Sequence, residues 1–285
     1  MSVLETCHKK VDLDQFKKEG WLLIRGLIPA HILEDVKEVY ASAADQIIAQ
    51  AYTEGLISTR FEDTPFEKRL AQLPQDFLKR YGRSWRNSVA KAPVFNLQTC
   101  PELVDVMTTL MGSELAGSEL FNARPKMPNQ ELTVVPWHQD AGYYGPLSVK
   151  NEAFTTWIPL VPVSADNGCM QVVPKSDING FRHHADQVGE GSFKEIDDDS
   201  INEVDAITCP MEPGDILIFN QLTYHRSLPN TTDAIRWSID LRFYRLGEPP
   251  VESKEGEENP WVINSRQKST TTLKEWEEMV KDFGW

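Results

Sequence analysis

The sequence predicts a mainly β domain backed by helices gathered in its front part, and three observations carry that expectation. Apolar residues at helical spacing stop near Gly112. Beyond it, short runs rich in Val, Ile, Thr, Phe and Trp alternate with turn clusters such as Ser164-Ala165-Asp166-Asn167-Gly168 and Glu212-Pro213-Gly214-Asp215. Neither an internal repeat nor a low-complexity tract breaks the 285 residues, enough to bury a substantial core without disulfides. Helices and strands that come in blocks, rather than alternating, point to a β-sandwich or barrel with helices behind it. A single domain over 1–285 is the simpler expectation. It would have a helical part over about 1–112, a strand part over about 113–247, and a C-terminal tail with a short helix over about 248–285.

Taken in order, Asp12 is placed to cap a short helix that Gly20 ends, and Trp21-Leu22-Leu23-Ile24 follows as a strand. Pro29 suits the first turn of a helix. Ile32, Leu33, Val36, Val39, Tyr40, Ala43 and Ile47 then recur on one face and predict a long helix over about 29–52. A second helical stretch, roughly 64–81, carries Pro74 in its middle and is expected to break there. A third starts at Pro101, with Leu103, Val106, Met107 and Leu110 on one side. The expected strands are 132–137, 154–162, 170–173, 207–211, 216–220 and 235–244. Between 177 and 205 lies a polar segment with Asp197-Asp198-Asp199, readable as a lid or as a solvated excursion.

Acidic residues outnumber basic ones by 43 to 29, a formal net charge of −14. Such a surface repels phosphate backbones and anionic headgroups, so neither nucleic acid nor membrane is an expected partner. The field inside a pocket can still have the opposite sign. No apolar run reaches the length of a transmembrane helix. The first ten residues carry charge without the apolar stretch of a secretory signal, and Asp282-Phe283-Gly284-Trp285 is not the usual peroxisomal tripeptide. Cys7, Cys100, Cys169 and Cys209 lack CxxC spacing and read as reduced packing residues, consistent with an expected cytoplasmic location. Asn230-Thr231-Thr232 matches a glycosylation sequon, which without secretion is a chance match.

The chemistry concentrates at His138-Gln139-Asp140. On a strand, side chains two apart share a face, so His138 and Asp140 can grip one ion. An imidazole nitrogen and a carboxylate oxygen are two of the three ligands in the facial triad of non-haem iron oxygenases, which leaves open positions for other ligands. Of the remaining histidines, His8 lies near the terminus and His31 in the first turn of a helix. His183 and His184 fall in the polar segment, where a vicinal pair is more often exposed than ligating. His225 stands between two expected strands and is the best-placed third ligand. Arg236 follows on the next strand, and a guanidinium matches a carboxylate while staying charged. In that strand Ile235, Trp237, Ile239 and Leu241 share one face, and Arg236, Ser238, Asp240 and Arg242 the other. The period alone leaves open whether the polar face meets solvent or a cavity.

His138-Gln139-Asp140 followed by His225, Ser227 and Arg236 resembles the phytanoyl-CoA dioxygenase family of iron(II)- and 2-oxoglutarate-dependent oxygenases. That family's pattern is His-x-Asp, a distal His, and an Arg about eleven residues on; here the interval runs from 225 to 236. The resemblance extends over about 20–244 and implies a double-stranded β-helix, a jelly roll of cupin-like type. It implies that His138, Asp140 and His225 hold Fe(2+), and that Arg236 and Ser227 bind the distal carboxylate of 2-oxoglutarate. Gln139 and Trp157 would flank that cosubstrate, although Trp157 reads equally well as a core aromatic. Molecular oxygen would be the second cosubstrate and a small organic molecule the partner, hydroxylated with release of succinate and carbon dioxide. Related halogenases lack the carboxylate ligand, so Asp140 favours hydroxylation.

Candidate substrate contacts are Lys126, Tyr143 and Tyr144, which flank the motif, and Arg245, which ends the Arg236 strand. Lys126 could pair with an anionic group or be a solvated loop lysine; the tyrosine pair could wall the pocket or simply pack. No basic cluster suits the phosphates of coenzyme A. Two other readings stay open: a metal-dependent hydrolase or isomerase using the same ligands, and a non-catalytic binding protein on the same scaffold.

Overall fold

The computed structural model describes residues 11–81, 85–118, 121–197, 201–251 and 261–282. Cys7, His8, Asp198, Asp199 and the last three residues, all touched on above, lie outside them. Among the described residues, strands are Trp21–Ile24 (β1), Leu115–Gly117 (β2), Asn122–Lys126 (β3), Ala153–Pro159 (β4), Met170–Val172 (β5) and His184–Val188 (β6). They continue with Phe193–Ile196 (β7), Ile207–Cys209 (β8), Ile216–Asn220 (β9), His225–Ser227 (β10), Arg236–Arg245 (β11) and Trp261–Asn264 (β12). The large sheet runs β1-β9-β4-β11-β2-β12, with β3 also on β11; a small sheet runs β10-β5-β8, and β6–β7 form a hairpin. These antiparallel sheets make the mainly β, cupin-like architecture that the strand-rich second half predicts. Two strands, β1 and β12, join the large sheet from outside 113–247.

The local chemistry of the front end acts as expected. The Asp12 carboxylate accepts from the Gln15 N–H at 2.8 Å and starts the helix Leu13–Glu19. Gly20 ends that helix at φ 76°, and a Cβ there would also meet the Asp177 carboxylate at 2.5 Å, so two separate demands require glycine. The long helix is Ala30–Thr53, with Pro29 before it, and its apolar stripe is buried. Pro65 and Pro74 cut the second stretch into the short pieces Phe66–Arg69 and Gln75–Leu78, each followed by a tight turn. Helices Arg86–Val89 and Ala92–Gln98 precede Pro101–Met111, and Leu273–Asp282 is the short helix near the C-terminus.

The helices cover one face of the large sheet. Trp237 is fully buried there, stacked on Phe66 and edge-on to Tyr40 and Trp85. Trp276 and Val280 bring the C-terminal helix into the same apolar cluster. Tyr40 fixes the long helix to β11 through its hydroxyl, which donates to the Ser238 carbonyl at 3.2 Å. The other face of the sheet looks toward the small sheet, with Trp21, Met170, Val172, Leu217 and Phe219 packed between them. The strand expected over 132–137 is absent. A tight turn occupies Glu131–Thr133, and Pro136, which has no N–H to give, interrupts the ladder beside β10.

The polar segment is neither a loose excursion nor purely loop. Its β6–β7 hairpin carries buried Phe193 and Ile196, and the Ile196 N–H donates to the Trp137 carbonyl at 2.8 Å. Cys100, Cys169 and Cys209 are free and buried. Asn230 of the sequon is also buried, donating to the carbonyls of Lys126 and Ala234.

Candidate active site

Between the two sheets lies a cavity of about 240 Å³, and His138, Asp140 and His225 share its wall. Two local devices bring them there. His138 and His225 form an isolated antiparallel bridge and exchange both backbone hydrogen bonds at 3.0 Å. A directly opposed pair presents both side chains on one face, and the two rings are 4.1 Å apart. Asp140, two residues on, begins the short helix Ala141–Tyr144. Its Oδ1 lies 3.9 Å from His138 Nε2 and 3.8 Å from His225 Nε2, and three ligand atoms of the set fall within 4.8 Å of one another.

The protonation pattern follows from the neighbours. Each imidazole places Nδ1 2.9 Å from a backbone carbonyl, that of Pro136 for His138 and Thr223 for His225. A carbonyl can only accept, so Nδ1 carries the proton and Nε2 offers its lone pair to the centre. Burial lowers both histidines from their ordinary value, His138 far below it, while Asp140 opposes the shift in each. Burial works to raise the Asp140 carboxyl, but Arg242, the two histidines and the Thr155 hydroxyl outweigh it and lower it. The site therefore presents two neutral imidazoles and one carboxylate at neutral pH. Arg242 reaches Asp140 at 3.5 Å and Asp240 at 3.1 Å, and Asn122 donates to the same Asp240 carboxylate at 3.1 Å.

Arg236 lines the cavity nearby, buried, with its guanidinium 5.1 Å above the Trp157 ring. It donates to the Ser238 hydroxyl, while its Nε and the Ser227 hydroxyl are buried without hydrogen-bond partners among the described residues. Burial, with Arg124 adding to it, lowers Arg236 to about 10, with Cys169, Asp240 and Tyr40 opposing, so it stays charged at neutral pH. Polar atoms left unmet in a cavity wall mark where a bound anion would sit.

The polar face of β11 thus lines the cavity: Arg236, Ser238, Asp240 and Arg242 all border it, whereas Trp237, Ile239 and Leu241 pack under the helices. Trp157, Ser227, Tyr143 and Tyr144 line it too. Three expected contacts do not. Gln139 points away: its amide donates to the carbonyls of Gly180 and Leu222 and accepts from the Arg182 N–H. Its place between two inward-facing ligands dictates this, and it pins the turn that carries His138 and Asp140. Lys126 is buried, neither solvated nor lining the cavity, and its ammonium donates to the Thr133 carbonyl at 2.6 Å. Arg245 is out of step with Arg236, Ser238 and Arg242, so it leaves the cavity face and pairs with Glu152 at 2.9 Å near the surface.

Several contributors escaped the sequence reading. Thr155 on β4 braces Asp140. Asn122 and Arg124 enter on β3, whose Asn-Ala-Arg-Pro-Lys sequence carries no strand signature. His184 is buried, not exposed: its Nε2 accepts from the Gln139 N–H at 3.0 Å while Nδ1 faces the Arg182 carbonyl at 2.8 Å. Gly142 makes room for that ring, since a Cβ would meet it at 2.9 Å.

The donor set suits a ferrous ion. Neutral imidazole nitrogens with one carboxylate oxygen on adjacent corners are the ligands a facial iron site uses, and the tethered Nδ1 atoms fix their orientation. The unmet Ser227 and Arg236 atoms suit the carboxylate of a 2-oxo acid.

Comparison with known proteins agrees with this geometry. Over 286 residues the chain is 27% identical to the 1-deoxypentalenic acid 11-beta-hydroxylase of Streptomyces exfoliatus, covering 92% of this chain and 89% of that protein. Among solved structures, the non-haem monooxygenase ThoJ in its apo form matches with a TM-score of 0.59 at 20% identity, over 89% of this chain and 84% of its own. EctD from S. alaskensis, solved with 2-oxoglutarate and 5-hydroxyectoine, matches with a TM-score of 0.56 at 18% identity, over 92% and 85%. These two share the fold. The family model for phytanoyl-CoA dioxygenase matches residues 16–238, most of the chain. The chain belongs to the phytanoyl-CoA dioxygenase family of iron(II)- and 2-oxoglutarate-dependent oxygenases.

Proposed function

We propose that this enzyme hydroxylates a small organic molecule, with 2-oxoglutarate converted to succinate and carbon dioxide. His138, Asp140 and His225 would hold the iron, and Arg236 with Ser227 would clamp the distal carboxylate of 2-oxoglutarate. The observation that carries the reading is the convergence on a single cavity of three ligand side chains with the unmet Arg236 Nε and Ser227 hydroxyl. A hydrolase or isomerase would need the three ligands but has no use for the Arg236–Ser227 clamp.

When bound, iron and 2-oxoglutarate would together supply the oxidising power to attack an unactivated C–H bond. The protein's share is placement. Hydrogen bonds from Nδ1 hold both imidazoles rigid, and Arg242 with Thr155 keeps Asp140 ionised and aimed. Trp157 and Phe219 wall the centre with apolar surface that keeps water from the reacting carbon. Tyr143 and Tyr144 stand at the same cavity as candidate substrate contacts. The buried thiols of Cys100, Cys169 and Cys209 suit the reducing cytoplasm, the location we propose; among the described residues no helix is long and apolar enough to cross a membrane.

The test is direct. Anaerobic protein is mixed with iron(II) and 2-oxoglutarate, the visible charge-transfer absorption is recorded, and succinate is assayed after air is admitted. Absorption and succinate are expected from the wild type and neither from His138→Ala. A wild-type protein without that absorption would overturn the proposal.

A further inference from the structure

We propose that Arg124, with Asn122 and Arg86 beside it in the cavity wall, is the anion-binding site for the substrate, which therefore carries a carboxylate or a related oxyanion. This rests on the oxygenase reading above and names the substrate class that reading leaves open.

The charges in the cavity lead to it. Four arginines and two aspartates line the space. Arg242 lies against both aspartates, and Asn122 adds a second donor to Asp240, so the carboxylates of the wall are already engaged. Arg236 and Ser227 face the position for the distal carboxylate of 2-oxoglutarate; its other carboxylate would go to iron. That accounts for every anionic group of the cosubstrate and of the wall. Arg124 remains. It sits directly across the β3–β11 ladder from Ser238, on the cavity face, and among the described residues its side chain makes neither a hydrogen bond nor an ion pair. Its Nε is buried and unmet.

A guanidinium in that position is costly unless something answers it. The same positive charge helps to lower Arg236 and Lys126, so the three cations crowd one another at this end of β3 and β11. Lys126 spends its ammonium on the Thr133 carbonyl, which leaves Arg124 as the cation presented to the cavity. A planar fork aimed into a part-apolar space is built for a bidentate oxyanion, and the gain is greatest where water is excluded. Arg86 adds positive charge from the neighbouring helix, held in place by donation from its Nε to the Phe121 carbonyl at 2.6 Å. The volume of about 240 Å³, which the cosubstrate must share, admits a small acid or the acidic end of a longer one.

The experiment uses full-length protein loaded anaerobically with iron(II) and 2-oxoglutarate. Acetate and methylphosphonate are titrated as oxyanion probes and acetamide as the neutral match, with the visible absorption band and the thermal midpoint as readouts. Saturable binding of an oxyanion but not acetamide is expected, weakened by about tenfold or more in Arg124→Gln and partly restored in Arg124→Lys. The 2-oxoglutarate affinity of Arg124→Gln is expected to stay near that of the wild type. Equal binding of acetate and acetamide would overturn the proposal, as would an Arg124→Gln protein that binds the oxyanions normally. A variant that instead loses 2-oxoglutarate assigns Arg124 to the cosubstrate and overturns it too. Circular dichroism confirms that each variant folds, and a wild type lacking the iron band indicts the oxygenase reading rather than Arg124.

Discussion

Arg242 does at the residue scale what no metal ligand can do for itself. It keeps the buried carboxylate of Asp140 ionised and in place and also binds Asp240, and Tyr144 with these two carboxylates raises its own affinity for a proton against the effect of burial. Removing one member of a buried ion-pair set strands the others, at a cost of about 3–5 kcal/mol. Arg242→Met should lower the unfolding free energy by that order and weaken iron binding, measured by urea denaturation and metal titration. An unchanged midpoint would mean that Asp140 needs no counter-charge. His184 is a second support, read from behind the site. His184→Ala leaves the Gln139 N–H without its acceptor, a loss of about 1–3 kcal/mol. The sign of its pH dependence is set by burial, which lowers its folded-state value below the unfolded 6.5. As pH falls through that unfolded value the unfolded chain takes up the proton first, so the stability contributed by neutral His184 is lost on the acid side. The wild-type denaturation midpoint should fall more steeply than that of His184→Ala between about pH 7 and 5; parallel curves would remove His184 from the acid response. Gln139 and Lys126 show where single residues mislead: both look chemical in the sequence, yet both are spent on backbone carbonyls that only the fold supplies.

At the scale of elements, β11 divides its labour by alternation. One face lines the cavity and the other seats the helices, so neighbouring substitutions should have separable effects. Arg236→Ala should raise the 2-oxoglutarate KM by about tenfold or more while the thermal midpoint stays near that of the wild type. Trp237→Ala, with its ring buried against Phe66, Tyr40 and Trp85, should cost about 3–5 kcal/mol of stability, read by denaturation. Were both variants to lose stability alike, the two faces would not be independent. The alternation of this strand was legible in the sequence, but not which of its faces meets the cavity, and Arg245, expected there as a substrate contact, lies out of step with that face. The helix at Ala30–Thr53 was equally legible, because its apolar stripe is long and regular. Short β2, β3 and β10 were not, since three to five residues hold too few alternations to declare a period. Arg124 was hidden for that reason: its strand contains a proline, and only pairing with β11 puts it beside Ser238.

The molecule as a whole sets an acidic exterior around a basic cavity. With a net charge of −14, the surface should repel a dianionic cosubstrate on approach, while the four arginines in the cavity wall give its interior an attractive field. Salt shortens the reach of the exterior field from about 30 Å at 10 mM to about 8 Å at physiological strength. The association rate for 2-oxoglutarate, followed by anaerobic stopped flow, should therefore rise over that range. A rate that falls with salt would mean that the cavity's field dominates the approach.

The single bridge between His138 and His225 has one more consequence. Side chains on β10 alternate, and Arg226, between His225 and Ser227, faces outward, stacked over Trp137 and paired with Glu203. Deleting one residue from the connection 221–224, with the strand pairing re-formed, would exchange the two sides. An imidazole and a hydroxyl would leave together and a guanidinium would arrive where the cation belongs. The connector's length is thus as strictly set as any ligand.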